Sequence, residues 1–122
     1  MREKTLSFVL FFVFLFLVSA NYGLAENCDG TIKSENLELT VCEFNKKDKI
    51  ISGKIRNNST LEFGDVYIYF AQYNQKGVLI DTTLENVSYL GPKETWDFHI
   101  TNIEDLTVRV KPVKLIEREL KK

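Results

Sequence analysis

The stretch "VYIYFAQYNQKGVLID", residues 66–81, alternates two kinds of side chain and then breaks at a polar turn. Aliphatic and phenylalanine side chains occupy one parity and tyrosines the other, as in a strand whose successive side chains point to opposite faces. Residues 74–77 provide a hairpin loop, because asparagine bonds its own backbone and Gly77 tolerates a positive φ. Residues 78–82 form the returning strand. The stretch therefore predicts an antiparallel β-hairpin.

The rest of the chain repeats this pattern of short alternating runs separated by turn residues. Further runs lie at 37–42, 51–56, 95–100 and 106–110, the last of them ending before Pro112. Only residues 113–122 have helical spacing of apolar side chains, and so short a segment is expected to be a frayed, charged C-terminal tail. The pattern predicts an all-β antiparallel sandwich or open barrel of about six to seven strands.

The parity of each run also predicts which side chains form the core. A one-residue slip in register would expose the whole set on that strand. The predicted core consists of Leu39, Val41, Ile51, Ile55, Val66, Ile68, Phe70, Ile80, Leu90, Trp96, Phe98 and Val108.

The N-terminal residues have the features of an export signal. Arg2 and Lys4 precede an apolar run over residues 6–18, and small residues follow. Cleavage after Ala20 or after Ala25 fits this pattern, and the second site is favoured because a polar segment begins at Glu26. The apolar run is shorter than the ~20 residues that span a bilayer, which favours a cleaved peptide over an uncleaved membrane anchor. The expected organisation is a signal peptide (1–25), a sandwich domain (26–112) and a tail (113–122) of a secreted or extracytoplasmic protein.

Both cysteines lie in the exported part of the chain. An even number of cysteines in an oxidising compartment predicts one disulfide, between Cys28 and Cys42. Cys42 has the parity opposite to Leu39, so we expect the bond to tie the N-terminal segment to the outward side of the first long strand.

The segment "FAQYN", residues 70–74, resembles the motif from which the FxLYD domain family takes its name, with Gln72 in place of leucine and Asn74 in place of aspartate. The surrounding segments "SGKIRNNS" (52–59), "DVYI" (65–68), "GVLI" (77–80) and "LGPKE" (90–94) are similar to other motifs of that family. Lys93 stands where the family usually has glycine. The resemblance covers about residues 50 to 101. It implies an immunoglobulin-like β-sandwich of exported or membrane-anchored prokaryotic proteins, with no established enzymatic activity.

Charge and composition exclude several function classes. Without residues 1–25 the chain has 14 basic and 16 acidic residues, since Arg2, Lys4 and Glu3 are removed from totals of 16 and 17. This balance, without a basic stripe, argues against a nucleic-acid partner. The one histidine, His99, is too few for a zinc site, which needs three or four ligands. Asp65 and Asp81 could meet across strands, as general acid and base pairs do, but ordinary surfaces have such pairs too. We expect no enzyme, metal or cofactor.

Two features suit binding or modification. Tyr67, Tyr69 and Tyr73 share a parity and suit contact with a protein or glycan, because tyrosine combines apolar area with a polar tip. Their alternative role is packing against cross-strand neighbours. Three sequons are present, at Asn57, Asn58 and Asn86. The expected function is a non-enzymatic interaction or adhesion domain that binds a protein or glycan at the cell envelope. The alternative is a structural spacer without a specific ligand. Membrane contact is expected only if the N-terminal segment stays uncleaved.

Overall fold

The computed structural model describes residues 25–121, which form seven strands in two antiparallel sheets. The strands are β1 (Ala25–Asn27), β2 (Leu37–Asn45), β3 (Ile50–Asn57), β4 (Phe63–Tyr73), β5 (Leu79–Val87), β6 (Thr95–Ile100) and β7 (Arg109–Glu119). Sheet A has the order β1-β2-β3-β6, and sheet B has the order β5-β4-β7. The all-β prediction is confirmed. The predicted signal peptide lies outside the described residues, apart from Ala25. Within residues 25–121 no helix is long and apolar enough to cross a membrane.

The two sheets share one hydrophobic core, built from the inward parity of their strands. The ring of Phe70 in sheet B lies 5.9 Å from the ring of Phe98 in sheet A, and Trp96 lies 5.5 Å from Phe98. Of the predicted core, eight residues are buried: Leu39, Ile51, Ile55, Val66, Ile68, Phe70, Leu90 and Phe98. Three are only half-buried: Ile80, Trp96 and Val108. The arrangement is that of a sandwich-like domain in which sheet B covers the inner face of sheet A.

A β-bulge in β2 makes the prediction for Val41 wrong. Leu39 is paired with Ile55, but Val41 is paired with Lys54, so Thr40 is an extra residue in the ladder. A bulge reverses the parity of the residues that follow it. Val41 is therefore 40% exposed, and Phe44 enters the core in its place.

The same bulge turns Cys42 toward the core. The Cys28–Cys42 disulfide is present, with the two Cα atoms 5.4 Å apart, which confirms the predicted pairing. Its predicted position on the outward side is wrong, because Cys28 is buried and the half-buried Cys42 packs against the same core. The disulfide attaches the segment after β1 to the interior of the sandwich.

The hairpin between β4 and β5 is built as its sequence predicts. The side-chain oxygen of Asn74 accepts hydrogen bonds from the backbone N–H groups of Lys76 and Val78 at 2.9 and 3.0 Å, and Gly77 has a φ of 78°. The returning strand differs from the prediction, because a register shift beside Tyr73 leaves Ile80 unpaired. Thr83 is buried as a result.

The last strand corrects the prediction for the C-terminal region. Leu106 lies in a turn and is 73% exposed, and β7 begins only at Arg109. β7 then continues through Pro112 to Glu119, paired with β4, so residues 113–119 are neither a helix nor a frayed tail. Proline is tolerated because β7 is an edge strand and a bulge lies beside it, between the pairs made by Pro112 and Lys114.

Candidate binding surface

Tyr67, Tyr69 and Tyr73 lie on the outer face of sheet B. They belong to β4, the central strand, and have the parity opposite to the fully buried Val66, Ile68 and Phe70. All three are half-buried. Residues directly opposite in a ladder share a face. The outer face of sheet B is therefore defined by these positions of β4 and their partners on β5 and β7: Tyr67, Tyr69, Ala71, Tyr73, Leu79, Thr82, Leu84, Asn86, Arg109, Lys111, Lys114 and Ile116.

The charges on this face have one sign. Arg109, Lys111 and Lys114 come from β7, and none of the residues that define the face is acidic. Arg109 forms an ion pair with Asp29 at 3.3 Å, and its guanidinium lies 4.6 Å from the centre of the Tyr73 ring. No ion pair to Lys111 or Lys114 is formed within residues 25–121. Two lysines thus remain available to a ligand beside Tyr69 and Ala71.

The outer face of sheet A has a different character. There Lys54 pairs with Asp97 at 3.7 Å, and the Oγ of Ser52 lies 3.0 Å from the Nδ1 of His99. Glu43 is exposed on the same face, opposite Ser52. This face therefore carries charges of both signs, unlike the outer face of sheet B.

The residues considered for catalysis or metal binding, His99, Asp65 and Asp81, lie apart from one another. His99 is exposed and faces Ser52, as expected for a surface residue. Asp65 bonds Arg118 at 2.7 Å near the start of β4, whereas Asp81 lies opposite Gln72 near the end of the same strand, so the two carboxylates do not meet. Within the described part of the chain, no group of three or more His, Cys, Asp or Glu side chains could hold a metal ion.

The three sequons differ in accessibility. Asn58 and Asn86 are exposed. Asn57 is 0% exposed, and its amide donates to the carbonyl oxygens of Leu61 and Gly91, each at 2.8 Å. A glycan on Asn57 is incompatible with this fold, because the side chain is enclosed and its amide nitrogen is already used.

Gln72 and Tyr89 are two further polar side chains near the ends of the sheets. Gln72 is buried; its Oε1 accepts from the N–H of Glu104 at 3.0 Å and from the Thr107 hydroxyl at 2.8 Å. Desolvation, and then the carboxylates of Glu62 and Glu94, raise the pKa of Tyr89 above its ordinary value. The Tyr89 hydroxyl therefore stays protonated at physiological pH.

Lys111 and Lys114 are not among the site residues that the sequence predicts, because they lie in the region predicted to be the end of the last strand and the C-terminal tail. The alternation of Arg109 and Lys111 with the buried Val110 and Pro112 is the signal that could have placed a basic strip on one face of a strand.

Comparison with protein-family models, with curated proteins and with solved structures finds no match for this chain.

Proposed function

We propose that this chain is an exported, non-enzymatic interaction domain that binds a protein or glycan at the cell envelope through the outer face of sheet B. The observation that carries the proposal is the half-exposed pair Tyr67 and Tyr69 on the central strand, opposite the side that faces the core. Tyrosine is enriched at binding surfaces because one side chain offers a broad apolar face and a hydroxyl group.

Export is part of the same proposal. The Cys28–Cys42 bond is consistent with an extracytoplasmic location, because disulfides persist in oxidising compartments. N-terminal sequencing of the secreted protein tests it, and the mature chain should begin near Glu26.

The proposed relationship is to immunoglobulin-like sandwiches and, by the motifs of residues 50 to 101, to the FxLYD family. The division into a four-stranded sheet and a three-stranded sheet is also found in constant-type immunoglobulin domains. The strand order differs from theirs, because β2 and β3 form a hairpin within one sheet here, whereas the second and third strands of those domains lie in different sheets. The likeness thus concerns the architecture and not the strand order.

The test of function is the double variant Tyr67→Ser with Tyr69→Ser, compared with Tyr89→Ser. Tyr89 is 47% exposed but lies outside the outer face of sheet B, so it controls for the loss of an exposed tyrosine. Folding is measured by thermal unfolding, and binding by capture from envelope extracts and on glycan arrays. The proposal expects the double variant to fold and to lose capture, while Tyr89→Ser keeps it.

Capture that the double variant retains would instead favour a structural spacer that needs no ligand at this face. Collapse of the fold in the double variant would assign the two tyrosines to packing and would also count against the proposal.

A further inference from the structure

We propose that the outer face of sheet B binds a linear acidic polysaccharide, with sugar rings against Tyr67 and Tyr69 and anionic groups on Lys111 and Lys114. This inference rests on the proposed function and names its ligand class. It is carried by two parallel rows of side chains on that face. The tyrosine row comes from β4 and the basic row from β7, the neighbouring strand.

The basic row is not compensated on its own face. Lys114 lies opposite Tyr69 and Lys111 lies opposite Ala71, while the β5 partners of the same positions are Leu84 and Thr82. The formal charge of the whole chain is −1, so a local excess of positive charge here is not a consequence of a basic composition. The face therefore favours a ligand that carries negative charge.

The tyrosine row has the properties of a platform for sugar rings. Tyr67 is flanked by Asn86 and Ile116, and Tyr69 by the 45% exposed Leu84. An aromatic ring contacts the C–H face of a sugar, and a phenol or amide at the edge bonds its hydroxyl groups. The ring of Tyr73 is less accessible to a sugar ring, because the guanidinium of Arg109 already lies over it.

The shape of the face suits a single extended chain. From position 67 to position 73 the strand rises roughly 20 Å, and three strands span roughly 10 Å, so the face is about twice as long as it is wide. A narrow face with two rows of side chains suits a linear polymer in which each repeating unit has a sugar ring and a charged group.

The probes are polygalacturonate, neutral dextran and poly-glutamate, each titrated against the full mature chain by calorimetry. The proposal expects polygalacturonate to bind more tightly than either of the others, since dextran lacks the charge and poly-glutamate lacks the sugar ring. Raising the salt concentration from ~50 to ~300 mM should weaken the binding, because exposed charges are screened. Equal binding of polygalacturonate and dextran, or of polygalacturonate and poly-glutamate, would overturn the proposal.

The decisive variant is Lys111→Gln with Lys114→Gln. Both side chains are exposed, so the change should leave the unfolding temperature near that of the parent. The affinity for polygalacturonate should fall by roughly tenfold or more, since two charged contacts are lost. The matched control is Lys47→Gln with Lys54→Gln, which removes the same charge from outside this face and should bind like the parent. Equal affinity in the two double variants would contradict the assignment.

Failure of this inference is distinguishable from failure of the proposed function. If Tyr67→Ser with Tyr69→Ser abolishes capture from envelope extracts while polygalacturonate does not bind the parent, the face binds a ligand of another class and only this inference falls. If that tyrosine variant keeps full capture, the face is not the binding surface and both proposals fall.

Discussion

Asn57 shows how one residue joins two loops at the end of the sandwich, the loop between β3 and β4 and the loop between β5 and β6. Its amide donates to Leu61 and Gly91, and its Oδ1 accepts from the N–H and the hydroxyl of Ser59 at 2.9 and 2.7 Å. The residue is fully buried at the end of β3. Because every polar atom of the side chain is bonded, the asparagine satisfies carbonyl and amide groups that would otherwise be buried without partners.

We expect Asn57→Ala to lower the free energy of unfolding by about 2 to 4 kcal/mol, because it leaves several buried polar groups unpaired. Chemical denaturation of the purified domain measures the change. Asn58→Ala is the control, since its exposed amide bonds only Glu38 at 3.2 Å, and it should change the stability by less than about 1 kcal/mol. Equal midpoints for the two variants would show that the Asn57 network adds nothing.

At the scale of elements, β5 is an edge strand in which side-chain carboxylates accept hydrogen bonds from backbone N–H groups of the same strand. Asp81 Oδ1 accepts from the N–H of Thr82 at 2.8 Å, and Glu85 Oε1 accepts from the N–H of Asn86 at 3.0 Å. β5 pairs with β4 on one side only. Unpaired N–H groups at a sheet edge invite another strand, and inward-turned charges are a common protection against that pairing.

The double variant Asp81→Ala with Glu85→Ala should therefore self-associate at concentrations at which the parent does not. Removal of both carboxylates frees two N–H groups and deletes two like charges from a nine-residue edge. Sedimentation velocity over a concentration series measures the association. Glu35→Ala with Glu43→Ala makes the same change of charge away from this edge, and association of that control to the same extent would attribute the effect to net charge alone.

At the scale of the whole molecule, the N-terminal segment closes one side of the sandwich. The Cys28–Cys42 bond holds this segment against β2, and the N–H of Asp29 donates to the carbonyl of Val110 in sheet B at 2.8 Å. In a second contact, the ammonium group of Lys49 donates to the carbonyl of Thr107 at 2.6 Å. The segments that flank the strands of sheet A are thus linked to β7 and to the loop before it by polar contacts in addition to the shared core.

Replacement of both cysteines by serine should lower the free energy of unfolding by about 3 kcal/mol, the loop-closure value for a loop of ~15 residues. In a small domain this is a large share of the total stability. Thermal unfolding of the variant, and of the parent with and without reductant, measures the loss. The reduced parent should match the variant, and a variant as stable as the oxidised parent would show that the core alone holds the N-terminal segment.

Several features of this protein follow from the sequence by itself, because they depend on local chemistry. The strand parity of residues 66–70, the Asn74 and Gly77 turn and the pairing of the only two cysteines all come from neighbouring residues or from a count. These observations are sufficient for the all-β class, most of the core and the outward position of the three tyrosines.

Tertiary structure decided the features that depend on a partner strand. The bulges at Thr40 and Ile80 reverse the parity that the sequence shows, and a bulge exists only relative to the ladder it interrupts. Residues 113–119 have apolar side chains at helical spacing, but they become part of β7 because β4 offers them an edge. That pairing also places Lys114 beside Tyr69. The basic row of the proposed site is therefore a product of long-range register, which no local alternation of residues determines.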